Sequence, residues 1–253
     1  MSGLPAPLRI FENPEGVAEA GCREFCTRAK QAIERGQIFT CVLSGGSTPR
    51  LLFEKLAQPA TLAFLPAGVW RSVHFFWGDE RDVPPDHPES NYRTARQALL
   101  SRIDIPEPNI HRIRPEVGSA DRAAEEYEEE LVRFFHLRKG EFPCFDLVYL
   151  GMGEDGHTAS IFPYSPDLRE NARLVAAPWV ERLNTRRITL TLPVINRAAC
   201  VVFLVAGRQK AVRLREVLHG APDPQRLPAQ QVRPLTGELL WLADRAAASE
   251  IEG

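Results

Sequence analysis

Short apolar runs alternate with stretches of helical periodicity along most of the chain. Between residues 14 and 36 the apolar positions Ala18, Cys22, Phe25, Cys26, Ala29 and Ile33 fall on one helical face, and Gly36 is placed to close that helix. An apolar run at 38–43 predicts a strand, which leads through SGGSTP (44–49) into a second helix that ends near residue 57. Thr48 reads as the N-cap of that helix and Pro49 as its first residue. Further strands are predicted at 73–77, 109–113, 145–150, 174–177, 188–192 and 200–206. Further helices are predicted at 91–103, capped by Ser90, and at 120–138, 209–218 and 244–249. The acidic run EEYEEE within the 120–138 helix reads as a solvated face.

This alternation predicts an α/β fold: a Rossmann-like, doubly wound, mainly parallel sheet with helices on both faces. The length suits a single α/β domain over residues 1–253. In such sheets ligands bind beyond the carboxyl ends of the strands. Three segments that carry polar chemistry leave predicted strand ends there: SGGSTP (44–49), GDER (78–81) and GEDGHTAS (153–160).

Composition removes several function classes. Hydrophobic residues make up 44% and charged residues 25%, with a formal net charge of -2. No basic excess points to nucleic acid, and no basic amphipathic helix points to a membrane surface. No apolar stretch is long enough to span a bilayer. The opening MSGLPAPLRIF has no charged segment followed by an apolar run, so no leader is expected. The cysteines are Cys22, Cys26, Cys41, Cys144 and Cys200, an odd number without a C-x-x-C pair, which fits a reducing, cytoplasmic location. Neither they nor the six histidines show metal-ligand spacing. No metal and no other cofactor is therefore expected.

The three polar segments carry candidate chemistry. In SGGSTP, Ser44, Gly45, Gly46, Ser47 and Thr48 can bring backbone N–H groups and hydroxyls to an anion at a helix N-terminus. The same residues equally fit a tight turn with a cap. The segment lacks the ending of a Walker A loop, so a nucleoside triphosphate is not indicated. GMGEDG matches the dinucleotide fingerprint in form only, because Pro163 and Pro166 follow where a long helix is required. Asp155 and His157 in that loop suit an acid–base pair, against the plainer reading of a loop histidine bonded to backbone. Asp79, Glu80 and Arg81 form either a functional cluster or a charged surface turn.

Taken together these segments resemble the 6-phosphogluconolactonases. The matching stretches are LSGGSTPRLLFEKLA, VHFFWGDERDVPPDHPESNYRTARQALL, FDLVYLGMGEDGHTASIFP, RITLTLPVINRA and VVFLVAGRQKA, in family order over most of the chain. The resemblance implies a Rossmann-like fold shared with glucosamine-6-phosphate deaminases and ribose-5-phosphate isomerases. It also implies hydrolysis of 6-phospho-D-glucono-1,5-lactone to 6-phospho-D-gluconate in the oxidative pentose phosphate pathway. It carries a catalytic role onto His157, with Asp155 near it; the chemistry of the reaction then leaves Asp155 or a backbone group to orient the water that His157 activates, and Arg81 or loop N–H groups to stabilise charge. SGGSTP, Asp79, Arg81, Arg187 and Lys210 become candidates for holding the substrate, a phosphorylated sugar lactone. The family often has serine before the lysine, whereas Gln209 precedes Lys210 here.

Two alternatives stay open. A related sugar-phosphate isomerase or deaminase would resemble G-x-G-x-D-G-H-I-A-F-N-E-P, with a glutamate five residues after the histidine; this chain has Phe162 there. A sugar-phosphate sensing module would need a DNA-binding domain, for which the residues before Leu43 are too few.

Overall fold

The computed structural model describes residues 7–251. Residues 1–6, part of the segment read for a leader, lie outside them. The strands are β1 (Leu8–Phe11), β2 (Phe39–Leu43), β3 (Val73–Trp77), β4 (Asp79–Arg81), β5 (Ile110–His111), β6 (Leu147–Leu150), β7 (Val175–Ala176), β8 (Trp179–Val180), β9 (Thr185–Leu190), β10 (Cys200–Val205) and β11 (Glu238–Asp244). The α-helices are α1 (Pro14–Glu34), α2 (Ser47–Leu56), α3 (Pro59–Leu62), α4 (Asn91–Ala98), α5 (Ala120–Phe135), α6 (Leu192–Ile195), α7 (Ala211–His219) and α8 (Arg245–Ala248).

Seven strands form a sheet in the order β1-β11-β10-β6-β2-β3-β5. Every neighbouring pair in it is parallel. The reason is legible in the central strands: β2, β6 and β10 are buried at every position, so both faces must be covered by other elements. α1 supplies one cover. Asn13 caps it by accepting from the Gly16 N–H at 3.0 Å, and Val17, Ala18, Phe25 and Ala29 form its buried stripe. Gly36, at φ +71°, lies just beyond the helix, as expected.

A second, antiparallel sheet stands apart in the order β4-β9-β7, with β8 also paired to β9. It corrects the expectation for GDER: the segment is no loop but a strand leaving β3 through Gly78. Gly78 donates to the Leu43 carbonyl at 2.9 Å and its own carbonyl accepts from the Leu190 N–H at 2.8 Å, so the chain is handed from one sheet to the other. From α5, the buried Tyr127 hydroxyl accepts from the Trp77 N–H at 2.9 Å and donates to the Trp77 carbonyl at 3.1 Å, fixing the end of β3.

Several boundaries differ from expectation for local reasons. α2 begins at Ser47, with Gly46 at the cap position and no side-chain cap bond, so Thr48 lies inside the first turn and caps nothing. The 91–103 helix breaks at Leu99, beyond which Leu100–Arg102 forms a 3-10 turn. α5 ends at His136, which takes the left-handed conformation at φ 52° and closes the helix three residues early. EEYEEE is only partly a solvated face. Glu128 accepts from the Leu174 and Val175 N–H groups at 2.8 and 3.1 Å, and Glu130 lies 2.7 Å from His111. β1, β4, β8 and β11 were not expected from the sequence, and β9 starts at Thr185 and not at residue 188.

Candidate active site

A cleft of about 300 Å³ lies at the carboxyl ends of β2, β3 and β6. Its walls come from the loop after β2, from β4 and β9, and from the long loop after β6. Ser44, Gly45, Gly46, Asp79, Arg81, His157, Arg187 and Lys210 all line it. Asp155 is joined to it through His157. Ser47 and Thr48 are not part of the wall; Thr48 is buried under the first turn of α2.

The loop after β6 is folded around the histidine. Gly153 donates to the His157 carbonyl at 2.8 Å. A Cβ on Gly153 would sit 2.0 Å from His157 Nδ1, so only glycine fits against that ring. Pro163 is followed by a turn and a short 3-10 helix (Pro166–Arg169), and no long helix packs after Gly156, as a dinucleotide site would need. His157 Nδ1 lies 2.5 Å from Asp155 Oδ1, whose same oxygen accepts from the His157 N–H at 3.2 Å. A carboxylate there fixes the neutral imidazole with its proton on Nδ1 and leaves the Nε2 lone pair for the cleft. Burial raises the Asp155 carboxyl, but the hydrogen bonds and charge of His157 together with Arg182 outweigh it and hold it down to about 2.

β4 and β9 set the cationic wall. Their register places Arg81 directly opposite Arg187, with Asp79 opposite Thr189. Like charges face to face are unfavourable across a strand pair. Burial and the Arg81 charge accordingly pull the Arg187 guanidinium below its ordinary value. Arg81 donates to the Glu89 carbonyl and Arg187 to the Arg186 carbonyl. Neither guanidinium forms an ion pair among the described residues. Lys210, in the turn before α7, is likewise without one; burial draws its ammonium down, against the pull of Glu154 and Asp155. Asp244 holds that turn by accepting from the Gly207 N–H at 3.0 Å.

Asp79 is buried and partly committed. It accepts from the Ser160 hydroxyl at 2.7 Å and from Asn91 Nδ2 at 3.3 Å. Glu80 does not line the cleft. Its carboxylate accepts from the N–H groups of Arg81, Asn91 and Tyr92, each at 2.8 Å, and from the Ser90 hydroxyl at 3.1 Å, which anchors the start of α4. Burial pushes this carboxyl up while those backbone donors pull it back.

Sequence reasoning missed four residues of the site. Asn91 and Ser160 hold Asp79. Arg182 pairs with Asp155 Oδ2 at 3.0 Å and lies 5.0 Å over the Phe162 ring. Phe162 itself lies 4.4 Å from the His157 ring. The i+5 spacing from His157 did mark Phe162, though only as an absent glutamate. Arg182 has no local signal, since its place depends on β8 and β9 bringing it across the cleft.

Comparison with known proteins shows the family of the chain. A family model described as glucosamine-6-phosphate isomerases/6-phosphogluconolactonase matches residues 12–241. A 6-phosphogluconolactonase of Synechocystis sp. is 47% identical over 226 residues, which covers 89% of this chain and 90% of the relative. The human 6-phosphogluconolactonase is 39% identical over 251 residues, covering 96% of this chain and 94% of its own. The structure of 6-phosphogluconolactonase from Trypanosoma brucei superposes with a TM-score of 0.86 at 27% identity, covering 99% of this chain and 100% of that one. With a family match over most of its length and identities of this size, the chain belongs to the 6-phosphogluconolactonase family.

Proposed function

We propose that the chain hydrolyses 6-phospho-D-glucono-1,5-lactone to 6-phospho-D-gluconate, the second step of the oxidative pentose phosphate pathway. One observation carries the residue assignment: the His157–Asp155 pair shares a cleft with Arg81, Arg187 and Lys210, which have no carboxylate partner within ion-pair distance among the described residues. An anionic substrate supplies the missing charge. The phosphate is held by Arg187, Lys210 and the uncapped N-terminus of α2, where backbone N–H groups point at an anion. Ser44, Gly45 and Gly46 shape that end of the cleft, and Ser47 and Thr48, which do not line it, act only through the dipole of the first turn of α2.

The reaction needs a base, a place for oxyanion charge and an acid. His157 Nε2 takes a proton from water as the water oxygen bonds to the lactone C1. The carbonyl electron pair moves onto its oxygen, and Arg81 stabilises the charge. The intermediate collapses, the bond from C1 to the ring oxygen breaks, and that oxygen takes the proton from His157. The new carboxyl group releases its own proton to solvent. Asp155 keeps the imidazole in the useful tautomer and stabilises the imidazolium between the two transfers. Asp79, held by Ser160 and Asn91, borders the sugar hydroxyls.

We place no metal in this scheme, because the ester is already activated by the ring. We assign the chain to the cytoplasm on its five free cysteines. No helix among the described residues is long and apolar enough to cross a membrane. The net charge of -2 speaks against nucleic acid as a partner. We treat residues 1–253 as one catalytic domain. The test is consumption of fresh lactone above its spontaneous hydrolysis, before and after prolonged EDTA treatment, beside glucosamine 6-phosphate on the same protein. Chelator-resistant lactone hydrolysis is expected. Turnover of the amino sugar alone would replace this reading with the deaminase alternative, and loss to EDTA with rescue by one divalent ion would remove its metal-free character.

A further inference from the structure

A second concavity, of about 320 Å³, lies between α2 and α4, away from the cleft. Arg50 and Glu54 reach it from α2, Arg93, Thr94 and Gln97 from α4, and Arg102 from the 3-10 turn that follows. Three guanidiniums against one carboxylate leave two positive charges there, in a chain whose net charge is -2. Arg50 pairs with Glu54 at 3.1 Å. The side chains of Arg93 and Arg102 have no hydrogen bond or ion pair among the described residues. Guanidiniums that line a polar hollow, with a hydroxyl and an amide beside them, supply the kind of donors that a phosphate group takes.

We propose that this hollow is a second anion site, taking the dianionic phosphate group of a small soluble metabolite and communicating with the cleft through α2 and α4. Both helices that form it begin in the cleft. The N-terminus of α2 follows Gly46, whose carbonyl accepts from the Arg50 N–H at 3.1 Å. The N-terminus of α4 carries Asn91, which donates to the Asp79 carbonyl at 2.9 Å. Arg81 donates to the carbonyl of Glu89, the neighbour of Pro88 in the wall of the hollow. An anion that draws Arg50 and Arg93 toward Arg102 therefore bears on the starts of α2 and α4, each within about one helical turn of those two arginines.

Inorganic pyrophosphate is the probe. Calorimetric titration of the full chain should show two sites, one of them competing with 6-phosphogluconate. In the Arg93→Gln/Arg102→Gln double variant the second site should weaken at least about tenfold for each guanidinium removed, with the first unchanged. Without pyrophosphate the variant should keep the wild-type kcat and KM, since neither side chain reaches the cleft. With pyrophosphate, kcat should shift in the wild type, while the variant shows a KM effect alone. Equal stoichiometry and affinity in the two proteins would overturn the site. Filling of the second site with no change in kcat would overturn the communication. If the double variant loses its circular dichroism signal, Arg102→Gln alone, at an exposed position, gives the same comparison. The calorimetric readout does not depend on which reaction the cleft catalyses.

Discussion

At the residue scale the chemistry turns on His157 and on what surrounds its ring. A base must be neutral to accept a proton, and the Asp155 carboxylate on Nδ1 leaves the Nε2 lone pair free for that role. His157→Asn should lower kcat by about 10²–10⁴-fold with little change in KM, because the phosphate contacts sit on other elements. Steady-state kinetics corrected for spontaneous hydrolysis will check this; a variant that keeps most of kcat would return the histidine to the status of a loop residue. Asp155 stays charged throughout the working range, since it is held down to about 2. A carboxyl so lowered adds stability that is complete above the ordinary range of about 4 and is lost as pH falls toward 2. Asp155→Asn should therefore cost stability at neutral pH and lower kcat. A second prediction concerns Gly45. A Cβ there would sit 1.8 Å from Asn91 Oδ1, a buried atom with no hydrogen-bond partner. Gly45→Ala must push Asn91 off Asp79, so kcat/KM should fall at least about tenfold while the protein stays folded. Wild-type kinetics in that variant would show that Asn91 does not position Asp79.

At the scale of elements, the site is a meeting of loops that only the sheet order brings together. Lys210 follows β10, the histidine loop follows β6 and the SGG turn follows β2, and these three strands are adjacent in the sheet. Arg187 arrives separately, on the antiparallel sheet. If these groups share the phosphate, Lys210→Ala and Arg187→Ala should each raise KM with a smaller effect on kcat. Each lost charge-assisted bond is worth about 1.5–3 kcal/mol. Unphosphorylated gluconolactone should for the same reason be a poor substrate, and equal kcat/KM for the two lactones would sever the link between these cations and the phosphate. The sequence announced part of this arrangement. Strands buried on both faces read as apolar runs, so β2, β3, β6 and β10 were legible, and with them the exits that carry SGGSTP and GEDGHTAS. β11 was also an apolar run, LLWLA, but periodicity cannot separate a buried strand from a buried helix segment. β4 was not legible, because Asp79–Arg81 has no apolar pattern and exists as a strand only through its partner β9. The cap of α2 was misplaced because a hydroxyl residue before proline is the usual signal, whereas Gly46 opens this helix and leaves its first N–H groups uncapped. Arg182, Asn91 and Ser160 escaped for a related reason: their roles are contacts across elements, and no local spacing encodes those.

At the scale of the whole molecule, pH should act on the fold and on the catalyst at separate places. His74 lies near the start of β3, at the end of that strand away from the cleft. Its Nδ1 is 3.0 Å from Nε2 of His111 on β5, and His111 Nδ1 is 2.7 Å from Glu130 on α5. Phe134 packs over both rings, 4.9 Å from His74 and 4.8 Å from His111. With Glu130 charged, one proton on each Nδ1 satisfies the whole chain: His111 donates to Glu130 and accepts from His74. Burial, and then the neighbouring His111, press the His74 imidazole down to about 4. The unfolded chain takes up that proton near the ordinary value of about 6.5, so between the two values it binds more protons than the folded chain. Stability is thus complete above about 6.5 and drains away as pH falls toward 4. His74→Asn keeps an N–H donor toward His111 but cannot titrate. Urea unfolding midpoints from pH 7 down to pH 5 should decline in the wild type by the equivalent of about 1–2 kcal/mol more than in the variant. The variant should keep wild-type kcat at neutral pH, because no part of this relay enters the cleft. Parallel midpoint curves in the two proteins would mean that His74 is not held neutral by the fold.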